Sequence, residues 1–280
     1  MKIALCLSGH ARTHETVHKF WQKNLFAPEH GHDVDVFIHT WDTIGPRWFG
    51  DGRSEAMNPL PRADFHSGIV ESPPFDINSM RDLWNPISMV VEDYEQYHDN
   101  FANDVIPVLE ERNRRDIPAG FEHHHPLSVR SMLYKRAKCN ELKTQYEVLT
   151  GIEYDLVIQA RPDVALTEPL SQVVMNTKDR IFFHNSRSVT REPEICDFGA
   201  IGTSLRVNFY CDLYYVLDNE LRNVGEDFFQ FLNPHKMYVR YFLRNHMNYE
   251  ERDLGLCIIR DSGQILGWPH AANIVRTFEG

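Results

Sequence analysis

The sequence predicts an α/β fold in which a mainly parallel sheet is flanked by helices. Short apolar runs alternate with amphipathic segments along most of the 280 residues, which is the pattern of parallel strands joined by crossover helices. The chain is 42% hydrophobic and 12% aromatic. This composition supplies a buried core and excludes an intrinsically disordered chain.

The first elements form a βαβ unit. Residues 2–8 (KIALCLS) are a short apolar run, typical of a buried strand. Residues 13–26 place four apolar side chains at helical spacing, and residues 34–40 (VDVFIHT) predict a second strand. A strand, a helix and a strand within about 40 residues indicate a parallel crossover unit.

The middle of the chain is less regular. Residues 41–86 contain many of the prolines and glycines and predict a loop-rich insertion. Residues 87–92 predict a third strand and residues 94–115 a partly helical segment. Residues 128–149 are the clearest helix, which we expect to be capped by Ser128 and to stop at Gly151.

The remaining predicted elements are strands at 154–160, 180–184 and 256–260 and helices at 204–221 and 234–244. No internal repeat or low-complexity tract is present in the sequence. We therefore expect a single domain over residues 1–280.

Charge and cysteine content exclude several functions. The formal net charge of −11 argues against a general nucleic-acid binder, which needs a basic surface. The five cysteines are widely spaced and form no CxxC pair, which disfavours a zinc ribbon and indicates a reducing compartment. Because no apolar run reaches the length of a membrane span, we expect a cytoplasmic protein without a transmembrane segment. Peripheral attachment to a membrane stays open.

The ends of the predicted strands are the candidate binding sites, because ligands of α/β sheets bind there. Ser8 and Gly9 end the first strand, and Arg12 follows where the helix starts. A guanidinium beside helix N–H groups suits a phosphate. The loop is neither a P-loop nor GxGxxG, and the alternative is a structural turn with a solvated arginine.

A carboxylate follows the strand at 154–160. Pro162 ends that strand, which places Asp163 at the rim of the sheet with Arg161 beside it. Asp163 can hold Mg²⁺ or Mn²⁺ through its oxygens. The alternatives are an Arg–Asp surface pair or a cap of the following turn.

Five motifs together indicate a family. LSGHAR, DVFIHTWD, SMLYKRAKCNELKTQYE, YDLVIQARPD and DFGAIGTS occur in this order within residues 1–217. This arrangement resembles glycosyltransferase-like proteins of bacterial polysaccharide loci and large DNA viruses. The resemblance implies a GT-A-like (Rossmann-like) fold. It also implies an enzyme that transfers a sugar from a nucleotide-sugar donor to a saccharide or another hydroxyl acceptor. Residues 222–280 would then shape the acceptor side.

The resemblance also implies donor-binding roles at the ends of the first two strands. The residues concerned are Ser8, Gly9, Arg12, Thr40, Trp41 and Asp42. The first three would meet the nucleotide, and the last three would lie beside the base or ribose.

Arg161 and Asp163 fall where such folds carry an Asp-x-Asp metal motif. This chain reads Arg-Pro-Asp there, so an arginine replaces the first acid. In one interpretation, Asp163 binds a divalent cation, Mn²⁺ or Mg²⁺. In the other, Arg161 neutralises the diphosphate and Asp163 orients the sugar.

Two further segments carry candidate site residues. Asp197 precedes Gly199 and Gly202, which predict a tight loop, and its carboxylate can act as general base toward an acceptor hydroxyl. The alternative is an aspartate bonded to loop N–H groups. On the helix at 128–149, Tyr134 and Lys138 share a face that can contribute to the phosphate or base pocket.

The alternative for this helix face is exposure to solvent, which the sequence favours for Lys135. Among the histidines, His184 is the best functional candidate. It ends a predicted strand and lies in the sequence between the candidate acids Asp163 and Asp197. The histidines at 30, 32 and 123–125 lie in predicted loops without a metal-binding pattern.

The leading hypothesis is therefore a nucleotide-sugar-dependent glycosyltransferase. A catalytically inactive nucleotide-sugar-binding protein is the first alternative, and the missing acid of the metal motif favours it. Another transferase acting on phosphorylated substrates is the second, and the absence of a P-loop lysine disfavours it.

Overall fold

The structure is a computed structural model that describes residues 1–45, 74–97, 126–170, 180–185, 195–222, 234–259, 265–266 and 274–276. In this part of the chain an eight-stranded sheet and a three-stranded sheet pack with helices into an α/β fold. The predicted fold class is thus confirmed as an α/β protein with a mixed, mostly parallel sheet flanked by helices.

The strands are, in chain order, β1 (Lys2–Gly9), β2 (Asp33–Trp41), β3 (Ser88–Glu92), β4 (Leu156–Ala160), β5 (Val164–Leu166), β6 (Ile181–His184), β7 (Gly199–Gly202), β8 (Tyr249–Arg252), β9 (Leu256–Ile259), β10 (Ile265–Leu266) and β11 (Ile274–Arg276). The helices are α1 (His14–Trp21), α2 (Ile77–Trp84), α3 (Pro126–Thr150), α4 (Ser204–Arg222) and α5 (Pro234–Arg244). A π-helical turn at Gln22–Phe26 continues α1, and a 3₁₀ turn at Pro28–His30 follows it.

The large sheet has the strand order β11-β8-β6-β7-β4-β1-β2-β3. Strand β1 pairs in parallel with β2 and β4, and β2 pairs in parallel with β3. Strand β7 is antiparallel to β4 and to β6, and β6 is parallel to β8. Consequently β1, β2, β3, β4, β6 and β8 all end at one edge of the sheet, while β7 begins there. We call this the carboxyl edge.

The core lies on both faces of the sheet because β1 is central and apolar. Ile3 and Leu5 pack on one face with α1 and the small sheet. Ala4 and Cys6 pack on the other face with α3, α4 and α5. Full burial of a side chain as large as Ile3 or Leu5 stabilises the fold by roughly 1.5–3 kcal/mol.

Several predicted elements are confirmed with small shifts of their bounds. The clearest predicted helix is α3, and Gly151 follows it with φ +72°, a left-handed conformation that ends a helix. Its amide donates to the Glu147 carbonyl at 2.8 Å. The predicted cap Ser128 is wrong, because α3 begins at Pro126 and contains Ser128.

Two predicted loops contain regular structure. The tight loop predicted around Gly199 and Gly202 is strand β7. Part of the predicted insertion at 41–86 is helix α2, where the Asp76 side chain accepts from the Asn78 and Ser79 amides. Residues 46–73 of the insertion lie outside the described residues, as do residues 98–115 of the predicted helical segment.

Sequence reasoning also missed short strands. Strands β5, β8, β10 and β11 were not predicted, so the strand at 256–259 is not the last one. Each has only two to four residues, too few to show an alternating pattern.

Gly199 tests the antiparallel pairing of β7 with β4. A Cβ at this position would lie 2.6 Å from the Gln159 carbonyl oxygen. Because that oxygen belongs to the sheet backbone, we expect Gly199→Ala to lower the free energy of unfolding by about 1–3 kcal/mol, as measured by urea denaturation. Gly202→Ala is the matched control, since its nearest atoms lie at 3.4 Å. Equal losses in the two variants would contradict this view of β7.

Candidate functional site

The carboxyl edge gathers most of the charged candidate residues. Arg12 lies in the loop between β1 and α1, and Arg161 and Asp163 lie in the turn between β4 and β5. Asp197 lies just before β7. Because β1, β4 and β7 are neighbours in the sheet, the topology brings these three segments together.

Asp163 is the centre of the charged cluster. Arg12 Nη1 donates to Asp163 Oδ2 at 2.9 Å, and Arg161 donates from Nε to Oδ1 at 2.9 Å and from Nη2 to Oδ2 at 2.6 Å. The Asp163 side chain is 1% exposed, whereas those of Arg12 and Arg161 are 29% and 19% exposed. The carboxylate is thus buried beneath two guanidinium groups that reach the surface.

The electrostatics of Arg161 follow from this arrangement. Burial opposes its charge, but the nearby carboxylates of Asp163 and Asp197 outweigh burial and raise the pKa of Arg161. Its Nη1 atom lies 4.0 Å from Asp197 Oδ2. Arg161 therefore stays cationic between the two acids.

Backbone contacts fix the loops that carry the cluster. Arg12 has a left-handed backbone with φ +39°, which is unusual for a residue with a side chain. Thr13 Oγ1 donates to the Ile259 carbonyl at 2.7 Å, and the Ile259 amide donates to the Asp163 carbonyl at 2.9 Å. Strand β9 thus links the Arg12 loop to the Asp163 turn.

Gly9 also needs its conformational freedom. Its φ of +117° lies in a region that side chains disfavour. The residue is partly exposed at the end of β1, and a Cβ at this position would lie 3.9 Å from Pro162 Cδ of the neighbouring turn. Gly9 therefore lets the chain turn toward Arg12 beside the Arg161–Asp163 turn.

Arg136 anchors the segment that carries Asp197, and sequence reasoning missed it. Its Nη2 atom donates to the Asp197 carbonyl at 2.6 Å, and its Nη1 atom donates to the Tyr238 hydroxyl at 2.7 Å. The neighbouring aromatic and acidic groups raise the pKa of this buried guanidinium despite its burial. The sequence signal was weak, because Arg136 is one of several basic residues on α3.

Ser8 and Thr40 lie beneath the site rather than on its surface. Both are buried. Ser8 Oγ accepts from Gln159 Nε2 at 2.8 Å, and Thr40 Oγ1 donates to the Gly9 carbonyl at 2.7 Å. In this arrangement they hold the strand ends in place, and their donor-binding roles stay a prediction.

Trp41 is also internal. Its side chain is 1% exposed, and the Lys135 amine lies 3.3 Å from its ring centroid. The Tyr97 ring packs against it at a centroid distance of 4.4 Å. Among the described residues, Lys135 and Tyr97 thus pack against the indole.

The expectation that Lys135 is solvated is wrong. Its side chain is 0% exposed and its amine donates to the Thr40 carbonyl and to Glu92 Oε2, both at 2.8 Å. Burial lowers the pKa of Lys135 to about 8, although Glu92 opposes this change. Lys135 ties α3 to the ends of β2 and β3.

Among the described residues, the candidates Tyr134, Lys138 and Asp42 bond to groups outside the Asp163 cluster. The Tyr134 hydroxyl donates to Glu92 Oε1 at 2.8 Å, and Lys138 pairs with Glu141 at 3.0 Å. Asp42 Oδ1 accepts from the Tyr94 amide at 3.0 Å. The structure thus brings together Arg12, Arg161, Asp163 and Asp197, but not these three.

The donor set around Asp163 does not fit a divalent cation. Such ions need several oxygen ligands, whereas both Asp163 oxygens accept from arginine N–H groups. Within the described ranges no group of three or more histidine, cysteine, aspartate or glutamate residues is placed to hold a metal ion. Metal binding at Asp163 stays a prediction.

Comparison with known proteins finds no family model that matches the chain and no similar curated sequence. Among the described helices none is both long enough and apolar enough to cross a membrane.

A substitution of Lys135 tests how this residue attaches α3 to the sheet. The quantity measured is the free energy of unfolding as a function of pH. Because the pKa of Lys135 is about 8 in the folded chain and ordinarily 10.5, the unfolded chain binds more protons between these pH values. The lysine therefore makes the free energy of unfolding rise with pH across this window, by up to about 3 kcal/mol. Lys135→Met removes this contribution. We expect the difference between native chain and variant, measured by urea denaturation, to grow in favour of the native chain from pH 7.5 to 10.5.

Lys138→Met is the control for this experiment because Lys138 is a partly exposed lysine of the same helix. It should keep the pH dependence of the native chain. A constant difference between the native chain and Lys135→Met over the whole range would contradict the buried position of Lys135.

Proposed function

We propose that this protein is a glycosyltransferase that takes a sugar from a nucleotide-sugar donor and transfers it to a hydroxyl acceptor. The observation that carries the proposal is the convergence of Arg12 and Arg161 on Asp163 at the carboxyl edge. Ligands of α/β sheets bind at this edge. The order of the five motifs that resemble glycosyltransferase-like proteins supports the same function.

Arg12 and Arg161 would bind the diphosphate of the donor. A guanidinium has five N–H donors, and Arg12 uses only Nη1 in hydrogen bonds to described residues. Arg161 Nη1 has an acidic neighbour only at 4.0 Å. The remaining N–H groups suit phosphate oxygens, and charge-assisted bonds of this kind are strong.

The cluster also explains how an acidic chain can bind an anion. The formal net charge is −11, so the attraction must come from local cations. Asp163 holds both guanidiniums in one place, and its burial keeps its own charge away from the surface. Their partly exposed N–H groups form a cationic rim above it.

The chemical step needs a stabilised leaving group and a base. The acceptor oxygen forms a bond to the anomeric carbon, the bond from that carbon to the phosphate oxygen breaks, and its electron pair leaves with the nucleoside diphosphate. Arg12 and Arg161 stabilise the developing negative charge. In a transfer that inverts the anomeric configuration, Asp197 receives the proton of the acceptor hydroxyl. Its carboxylate lies 4.0 Å from Arg161 Nη1.

A nucleotide-sugar-binding protein without catalysis is the second candidate. The bonds of Asp163 favour this candidate, because both carboxylate oxygens accept hydrogen bonds from Arg161. In the family that the sequence resembles, the metal motif lies at this position. The two candidates share the binding site and differ in turnover. Binding of a donor without hydrolysis or transfer would identify the second.

Arg12 tests the proposed binding site. We expect Arg12→Gln to weaken the binding of a nucleoside diphosphate about 10- to 100-fold, because one charge-assisted hydrogen bond is lost. Calorimetry with UDP, GDP and dTDP at low and moderate salt measures this, and the affinity of the native chain should fall as salt increases.

The control is Arg81→Gln on α2, since Arg81 is exposed and bonds to Asn78 of its own helix. It should bind like the native chain. Equal affinity in the native chain and both variants would remove Arg12 from the site.

Asp197 tests the catalytic step separately from binding. We expect Asp197→Asn to lower the transfer rate about 10²- to 10⁴-fold, which is the usual contribution of a general base, with little change in the Kd of the donor. The assay is transfer or hydrolysis across a panel of UDP-, GDP- and dTDP-sugars.

Asp155→Asn is its control, because Asp155 is exposed at the opposite edge of the sheet and accepts from the Lys2 amide. The control should turn over normally. Full activity of Asp197→Asn would exclude Asp197 as the base.

A further inference from the structure

His184 is a buried side chain at the carboxyl edge that the proposed mechanism does not use. It is the last residue of β6 and is 2% exposed. The neighbouring Asn185 amide donates to the Arg252 carbonyl at 2.7 Å, which holds the ends of β6 and β8 together. The imidazole therefore occupies a fixed place in the sheet.

Contacts of the ring define its protonation. The Leu254 amide donates to His184 Nδ1 at 3.2 Å, so Nδ1 is the acceptor and Nε2 carries the hydrogen. Burial lowers the pKa of His184, while Asp253, 3.9 Å from Nδ1, opposes this change. His184 is thus neutral near pH 7, with a single N–H at Nε2.

This N–H has no acceptor among the described residues. Nε2 is buried, and no hydrogen-bond partner for it is found in the part of the chain that the structure describes. Buried donors in folded proteins are nearly always paired, and an orphaned one needs an explanation. A bound ligand that supplies the missing acceptor is such an explanation.

The position of His184 indicates which part of a ligand it meets. Its ring is nearly parallel to that of Phe198, at a centroid distance of 6.1 Å and an angle of 17°. Phe198 follows Asp197, the candidate base. In the sheet order, β6 lies on the far side of β7 from β4. His184 is therefore displaced from Arg12 and Arg161, across the segment that carries Asp197.

We propose that His184 Nε2–H donates a hydrogen bond to a sugar hydroxyl of the bound saccharide, on the side of Asp197 away from the diphosphate. This role rests on the proposed function, since it places the diphosphate at Arg12 and Arg161. His184 acts as a specificity residue: it recognises the sugar and not the nucleotide. A neutral N–H donor suits an uncharged hydroxyl oxygen.

Two substitutions separate the ring nitrogens. His184→Asn keeps an acceptor near the position of Nδ1 for the Leu254 amide but has no group at Nε2. His184→Gln can place an amide N–H near the position of Nε2. Calorimetry would compare the nucleotide sugar that binds the native chain, chosen from UDP-, GDP- and dTDP-sugars, with its nucleoside diphosphate. Thermal unfolding would be followed in parallel.

We expect His184→Asn to bind the nucleotide sugar about 3- to 10-fold more weakly than the native chain and to bind the nucleoside diphosphate equally well. His184→Gln should bind the nucleotide sugar more tightly than His184→Asn. If the donor affinity of His184→Asn is unchanged but its KM for the acceptor rises by the same factor, the hydroxyl belongs to the acceptor and the role of His184 is also supported.

Other outcomes overturn the role. Native affinity and native KM in His184→Asn would show that Nε2–H meets no saccharide. Equal weakening of nucleotide sugar and nucleoside diphosphate, or a loss in His184→Gln that exceeds the loss in His184→Asn, would show a structural role. Failure of the native chain to bind any nucleotide would overturn the proposed function itself. This outcome is distinguishable from a failure of the His184 role because it is measured on the native chain alone.

Discussion

The buried carboxylate of Asp163 is the constraint on which the arrangement of the site depends. A carboxylate that is 1% exposed loses several kcal/mol of hydration and is tolerated only with charged partners and hydrogen bonds. Its two partners come from different loops, Arg12 after β1 and Arg161 after β4. The ion pairs therefore fix the distance between these loops, and the Ile259 amide adds a bond to the Asp163 carbonyl.

Helix α3 supplies a second group of buried cations. Lys135 bonds to the ends of β2 and β3, and Arg136 bonds to the segment before β7. Lys143 is also buried and bonds to Glu147 and Asn208. In the sequence, charged residues on a helix predict a face exposed to solvent. In α3, by contrast, buried charged side chains attach the helix to the sheet and to α4. The protein is acidic overall but carries basic groups in its interior, of which Arg136 contacts the segment that carries Asp197.

The sequence predicted those parts of the fold that have a clear periodicity. Strand β1 is an apolar run, and α3 carries apolar side chains at three- and four-residue steps, so both elements could be predicted. Strand β7 was not predicted, because its sequence GAIG has low strand propensity. Its glycine at position 199 is required for a close approach to the Gln159 carbonyl, which only the three-dimensional structure reveals.

The candidate site was predicted in a similar, partial way. The rule that ligands bind at strand ends led to Arg12, Arg161 and Asp163. The structure brings these residues together with Asp197, which the separate DFGAIGTS motif had indicated. The same rule also led to Ser8, Thr40 and Trp41, which are buried. The rule gives the place of a residue along the strand but not the direction of its side chain. The roles of Arg136 and Lys135 depend on contacts over about 40 residues or more in sequence, which no local pattern encodes.

The most direct test of the central claim is a crystal structure of the native chain soaked with a nucleotide sugar. The account predicts diphosphate oxygens within hydrogen-bond distance of the Arg12 and Arg161 guanidiniums, with Asp163 still buried beneath them. It also predicts that the sugar lies on the Asp197 side of this cluster. A nucleotide bound away from the carboxyl edge, or at that edge without contact to either arginine, would contradict the account.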